Sequence, residues 1–317
     1  MQQNKRRLPK VLLLTLKITL AILLVWWLWH SGKLDGSVIV NVRPSWALAG
    51  VLVFQTLMIL MLCWRWHLLL KVAGTSLPFR STFIINLMAQ CTSTFTPGSI
   101  GVDGTRFYHL YKLFPNQRAA AWVSIIWDRL IGIGALLFVT IITNSILLFT
   151  PLPAPFKSTF TLILVCSIVL LAVPLSLLFP HNPLRKIRRW KMLQKLPLPS
   201  SNKSAFMLPA TLACCTHFCN AMGILCAFYA LGFHVPLGQG LLLLPLIILT
   251  GTLPLTPLGI GVTDAVALLV FSTIHISSGA NAIMLGRIIF VSLSALCGIA
   301  WFVPIVKNMN CLAKNET

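Results

Sequence analysis

The sequence predicts an all-α polytopic membrane protein, with about six full transmembrane helices plus two re-entrant broken-helix hairpins in an inverted repeat. Three observations carry that prediction. Of the 317 residues 57% are hydrophobic and 9% charged, with a mean hydropathy of +0.88, whereas about a quarter of residues in a soluble domain are charged. A seven-residue phrase occurs twice, TPGSIGV over 96–102 and TPLGIGV over 256–262, with five of seven positions identical. Basic residues, finally, are distributed very unevenly between the segments that join the apolar runs.

The elements follow in chain order. Lys5, Arg6, Arg7 and Lys10 precede an apolar run from Val11 to Trp29. That run ends in Trp26, Trp27 and Trp29 without a small-residue cleavage site, so it fits a retained signal anchor with a cytoplasmic N-terminus. Full spans are expected at about 11–30, 46–64, 120–149, 158–179, 206–231 and 283–306. Trp64, Arg65 and Trp66 close the second of these and resemble an interfacial belt.

Two segments remain, 82–111 and 238–274, and each holds one copy of the phrase. After its break, the first continues through Asp103, Arg106, Tyr108, His109, Tyr111 and Lys112, too polar and short to cross about 30 Å of hydrocarbon. A re-entrant hairpin fits better. With both segments re-entrant, 18 Lys and Arg fall on the cytoplasmic side and 3, Lys33, Arg43 and Lys157, outside. The first hairpin then enters from the cytoplasm and the second from outside. The expected organisation is a first repeat over 1–180, a basic cytoplasmic linker over 181–203 containing Pro183, Pro197 and Pro199, and a second repeat over 204–317. The linker reads either as a topology determinant or as a dock for anionic lipid.

In each copy Thr96-Pro97 or Thr256-Pro257 interrupts the preceding helix, because proline lacks an N–H and disfavours helix in the residue before it. Gly98, Gly101 and Gly104, or Gly259 and Gly261, then permit tight turns and close approach. A second half-helix beginning there directs free N–H groups and a positive dipole end inward, where an anion such as a phosphate headgroup fits. Alternatively, the break only lets the chain turn.

Asp103 and Asp264 follow the two copies, and Arg129 and Arg287 follow some two dozen residues later in apolar stretches. Arg106 lies three residues after Asp103, and Asp128 precedes Arg129. An unpaired charge at a transmembrane helix centre costs at least about 2.5–3.5 kcal/mol. These groups therefore either clamp helices together or engage a lipid phosphate through an arginine fork.

The same sequence argues against other classes. A net charge of +20 would suggest nucleic acid in a soluble protein, but here the cations flank apolar segments, and no nucleic-acid partner is expected. The nine cysteines lie almost all inside apolar runs and imply no disulfide framework. Cys214, Cys215, His217 and Cys219 could bind a soft metal or simply pack in a helix; no metal and no cofactor is expected. No nucleophile with an adjacent base, nucleotide loop or hydrolytic carboxylate pair is visible, so no catalytic residue is assigned and enzyme activity is unsupported.

These motifs resemble the lysylphosphatidylglycerol synthase transmembrane region, also described as the flippase-like domain of bacterial and archaeal membrane proteins. The resemblance rests on Pro97 to Arg106 (PG-x-x-G-x-D-G-x-R), on Asp128, Arg129 and Gly132 (D-R-x-x-G), on Pro257 to Asp264 (P-x-G-x-G-x-x-D) and on Arg287. It covers nearly the whole chain. Leu258 stands where the family is expected to have glycine, and Asp264 where glutamate is common. Members that make aminoacylated lipid carry a soluble aminoacyl-transferase domain after this region; it is absent from this sequence, so lipid lysylation does not carry over. The resemblance implies handling or translocation of an aminoacylated phospholipid or a polyprenyl-linked sugar in a bacterial inner membrane; the charge count puts both termini in the cytoplasm. Another reading is a non-catalytic membrane subunit supporting a separately encoded lipid-modifying or glycosyl-transferring enzyme. Oligomeric state and energy source have no signature.

Overall fold

The computed structural model describes residues 44–75, 77–93, 100–114, 118–149, 154–176, 204–252, 259–272 and 279–314, together with Trp26, His30, Val42, Thr256 and 274–276. Among these residues the chain is helical. Its helices are α1 (Trp46–Val72), α2 (Phe79–Ser93), α3 (Ile100–Leu113), α4 (Arg118–Leu148), α5 (Ala154–Ser176), α6 (Ser204–Ala230), α7 (Leu237–Gly251), α8 (Val262–Ser272) and α9 (Gly279–Lys314). The expected span at 11–30 and the linker at 181–203 lie outside the described residues.

Helices at Trp46–Val72, Ala119–Leu148, Ser204–Ala230 and Gly279–Leu296 are long and apolar enough to cross a membrane. The protein is therefore polytopic. The expected span at 158–179 falls on α5, a helix of 23 residues. Segments 82–111 and 238–274 each resolve into two short helices, α2 with α3 and α7 with α8, that pack on one another.

Local chemistry explains the ends of α1 and α6. The Ser45 hydroxyl accepts the Leu48 N–H at 3.2 Å and opens α1. The helix closes at Gly74, whose φ of 87° is left-handed, with the Thr75 N–H bonded to Leu70 O and the Gly74 N–H to Lys71 O, each at 3.0 Å. That is a Schellman cap, which needs glycine at this position. Helix α6 ends identically: Gly232 has φ 82°, Phe233 N–H reaches Phe228 O at 2.9 Å, and Gly232 N–H reaches Tyr229 O at 3.0 Å. The two glycines are 158 residues apart, as are the starts of α1 and α6 and the pair Arg129 and Arg287.

Helix adjacency repeats as well. Exchanging α1 with α6, α2 with α7, α3 with α8 and α4 with α9 maps the α1–α6 pair onto itself and each other packed pair among these eight helices onto another packed pair. Helix α4 packs on α7 of the other half just as α9 packs on α2, and α5 lies against α4. At the centre α1 and α6 run antiparallel: Gly50 faces Cys226, Gln55 faces Gly223, and Leu69 shares a cluster with Phe206.

The hydrophobic core divides accordingly. Around the second half, Phe228, Leu244, Ile247, Phe271 and Ala282 form the largest cluster, with the Phe228 and Phe271 rings 4.5 Å apart. Trp66, Leu70, Ile85 and Leu110 form a smaller one around the first. Each packs a helical hairpin against neighbouring long helices.

Candidate functional site

The second copy of the repeated phrase is built as a helix start. Gly259 and Gly261 have φ of 71° and 83°, left-handed values that side-chain-bearing residues rarely adopt. Gly259 also lies against the end of α7: a Cβ there would sit 3.1 Å from Gly251 Cα and closer still to the Thr263 hydroxyl. Helix α8 then begins, and Asp264 in its first turn accepts the Gly261 N–H at 2.8 Å. This is the carboxylate half of a capping box. The same carboxylate receives Arg287 Nη1 from α9 at 3.1 Å on both oxygens; the side chains are 3% and 11% exposed. Thr256 is fully buried, and Pro257 lies outside the described residues.

In the first copy Thr96, Pro97 and Gly98 lie outside the described residues. Helix α3 starts at Ile100, and the Thr92 hydroxyl at the end of α2 donates to Gly101 O at 3.0 Å and lies 2.8 Å from the Thr105 hydroxyl. Gly101 stands in helical backbone, unlike its counterpart Gly261, and Gly104 is helical too. Asp103, in the first turn of α3, takes Arg129 from α4 through Nε at 3.0 Å and Nη2 at 2.7 Å. Matched acid and arginine thus pair in both halves. They differ in exposure, since Arg129 and Asp103 are 34% and 26% exposed.

The remaining predicted charges form a second, buried cluster in the first half. Asp128 Oδ1 receives Arg65 Nε at 2.7 Å and Asp128 Oδ2 receives Arg106 Nη1 at 2.8 Å. Arg106 also bonds Asn86 Oδ1 through Nε at 3.0 Å and through Nη2, and its guanidinium lies 4.6 Å over the Trp66 ring. Arg106 therefore does not pair with Asp103, its neighbour by spacing. Gly132, one turn after Asp128, leaves room for Arg65: a Cβ there would come within 3.4 Å of both Nη1 and Nη2. His217 closes the group through Gly132 O, 3.0 Å from its Nε2.

Two expectations are corrected here. Arg65 and Trp66 are not an interfacial belt, for they are 5% and 0% exposed, inside a helix that runs to Val72 rather than stopping at 64. Pairing with Asp128 is what lets the charge stay buried. Arg65 also leaves the cytoplasmic tally, which becomes 17 against 3. Asn86 and Gln55, buried amides in apolar helices, were not singled out by sequence; an amide inside an otherwise apolar run was the available signal. Among the described residues no group of three or more His, Cys, Asp or Glu is placed to hold a metal.

The arrangement of broken helices and arginines can be compared with known families. The profile described as the lysylphosphatidylglycerol synthase TM region matches residues 14–297. The chain belongs to that family. This member of the lysylphosphatidylglycerol synthase TM-region family is also similar to a UPF0104 membrane protein of Methanocaldococcus jannaschii, 27% identical over 105 residues. The match spans 33% of this chain and 31% of that relative. Family membership and the apolar helices together make it a multi-pass membrane protein.

Proposed function

We propose that this protein is a flippase-like lipid transporter of the bacterial inner membrane, which binds and moves an anionic or polyprenyl-linked lipid at a midplane site between two broken helices. In this reading there are six full crossings, both termini are cytoplasmic, the α2–α3 hairpin re-enters from the cytoplasm and the α7–α8 hairpin from outside. Repeats over 1–180 and 204–317 flank the basic linker 181–203.

The observation that carries the reading is the antiparallel pairing of α1 with α6 inside a helix adjacency that survives exchange of the halves. Corresponding helices that run in opposite directions are what inverted repeats require, and such repeats place substrates where discontinuous helices meet. The charge asymmetry of 17 against 3 supports the sidedness. Arg129 and Arg287, each held by an aspartate at the start of a short helix, supply a fork suited to a phosphate.

The test is translocation of fluorescent phosphatidylglycerol in proteoliposomes, read by accessibility of the label to an impermeant quencher. Protein-dependent movement is expected, slowed at least about tenfold by Arg129→Gln and by Arg287→Gln, the scale of losing a charged hydrogen bond. No movement above that of empty liposomes, or variants as fast as the parent, sinks the proposal.

A further inference from the structure

The two halves share a framework, so a feature present in one and missing from the other is not required by that framework. The ends of α1 and α3 and the starts of α2 and α4 meet at one end of the first half, where Leu70, Leu77, Leu110, Ala121 and Phe114 share a cluster. Lys71 stands in the last turn of α1, Arg80 in the first turn of α2 and Lys112 in the last turn of α3, all exposed. A cation suits a helix C-terminus, and that alone would account for Lys71 and Lys112. The second half removes that account. Tyr229 takes the place of Lys71, 158 residues on, before a Gly232 cap with the same hydrogen bonds. Gly238 takes that of Arg80, and the last turn of α8 has no base.

Aromatic rings differ in the same way. Tyr108 and Tyr111 on α3 and Trp122 on α4 are exposed, and Phe107 holds its ring 4.3 Å from Trp122 and 6.0 Å from Tyr111. Helix α8 has neither Tyr nor Trp, and Ala280 stands where α4 has Trp122. Among the described residues Lys71 and Lys112 form no salt bridge, for the three described aspartates are committed to Arg65, Arg106, Arg129 and Arg287. Exposed Tyr and Trp settle at headgroup depth, and a cation beside them attracts anionic lipid by about fivefold each.

We infer that the base of the first hairpin, Lys71, Arg80 and Lys112 with Tyr108, Tyr111 and Trp122, is a surface that binds anionic phospholipid headgroups and holds them at the rim of the protein. A charge bias in loops sets topology during insertion and gives the folded protein no headgroup preference, whereas this rim selects its lipid neighbours. The rim is separate from Arg129 and Arg287, and its binding does not rest on the transporter reading. In the topology proposed above it faces the cytoplasmic leaflet.

Trp122 reports on the rim through quenching by lipid-borne bromine. The full-length protein is reconstituted in phosphatidylcholine with a rising fraction of brominated phosphatidylglycerol or of brominated phosphatidylcholine, and the emission lost in Trp122→Phe isolates the Trp122 component. Half-quenching is expected at a mole fraction of phosphatidylglycerol at least about tenfold smaller than of phosphatidylcholine, given three cations. The preference should vanish in Lys71→Gln/Arg80→Gln/Lys112→Gln and fade in salt of about 1 M, where the screening length is about 3 Å. It should survive Lys157→Gln, whose exposed lysine lies in the first turn of α5, beyond the opposite end of α4. Should the triple variant not fold, Lys112→Gln alone serves, with a loss of about fivefold. Equal quenching by the two lipids, a preference that outlasts these cations, or one lowered as much by Lys157→Gln overturns the inference. Lipid movement in proteoliposomes is a separate readout: its absence discards the transporter and leaves the rim, and movement without headgroup preference at Trp122 does the reverse.

Discussion

At the scale of single residues, the three ion-pair sites should respond very differently to loss of a carboxylate. Asp128→Asn leaves Arg65 and Arg106 buried without a counter-charge, and breaking a buried pair from one side costs about 3–5 kcal/mol. Asp103→Asn removes the partner of an arginine that is a third exposed, where water takes over, so about 0–1 kcal/mol is expected. Thermal unfolding in detergent checks this, with Asp128→Asn lowering the midpoint far more than Asp103→Asn; equal shifts would contradict the burial argument. The same contrast explains what the sequence disclosed. Asp103 with Arg129, and Asp264 with Arg287, were legible because an acid just after each copy of the phrase and an arginine some two dozen residues later recur in both halves. Arg65 was not, because its partner lies 63 residues away and an arginine between two tryptophans near a span's end has the signature of an interface.

At the scale of elements, both breaks were visible in the sequence, but the roles of their glycines were not. A glycine's necessity depends on φ and on neighbouring backbone, neither of which a motif states. Gly259 combines a φ of 71° with Gly251 Cα 3.1 Å from any added Cβ, and both disfavour a side chain. Gly104 is helical, with nothing within 4 Å of an added Cβ. Gly259→Ala should therefore destabilise by about 1–2 kcal/mol or more, whereas Gly104→Ala should be neutral or stabilise by up to about 1 kcal/mol. Chemical unfolding of the two variants beside the parent would decide it. A stabilised Gly259→Ala would mean that the turn between α7 and α8 is not the tight one described. Helix lengths were the other illegible feature at this scale. Helix α1 extends past the expected end at 64 to Val72 because buried pairing, not hydropathy, accommodates Arg65, and its end is set by Gly74.

At the scale of the whole molecule, the duplicated phrase announced two halves, yet their mutual packing was hidden, because a 160-residue separation says nothing about which helices touch. The structure joins them along α1 and α6, and that contact makes a strong prediction. A Cβ on residue 50 would stand 2.8 Å from Cys226 Sγ and 3.4 Å from Cys226 Cβ. Disulfides have Cβ separations of about 3.5–4.5 Å, so Gly50→Cys lies at the edge of bridging distance and needs only a slight shift. In a background lacking the other cysteines, mild oxidation should join Gly50→Cys to Cys226, one in each half. With a protease site inserted between 181 and 203, cleavage should yield two fragments that migrate together without reductant and apart with it. A chain whose α1 and α6 ran parallel would put residue 50 at the opposite end of α6 from Cys226, and the fragments would separate under both conditions. The bridge also bears on mechanism. If the halves must rock against each other along this seam to move lipid, the oxidised protein should bind lipid but fail to translocate it, and reduction should restore the rate. Undiminished translocation in the bridged protein would confine the motion to the hairpins, leaving α1 and α6 as a fixed axis.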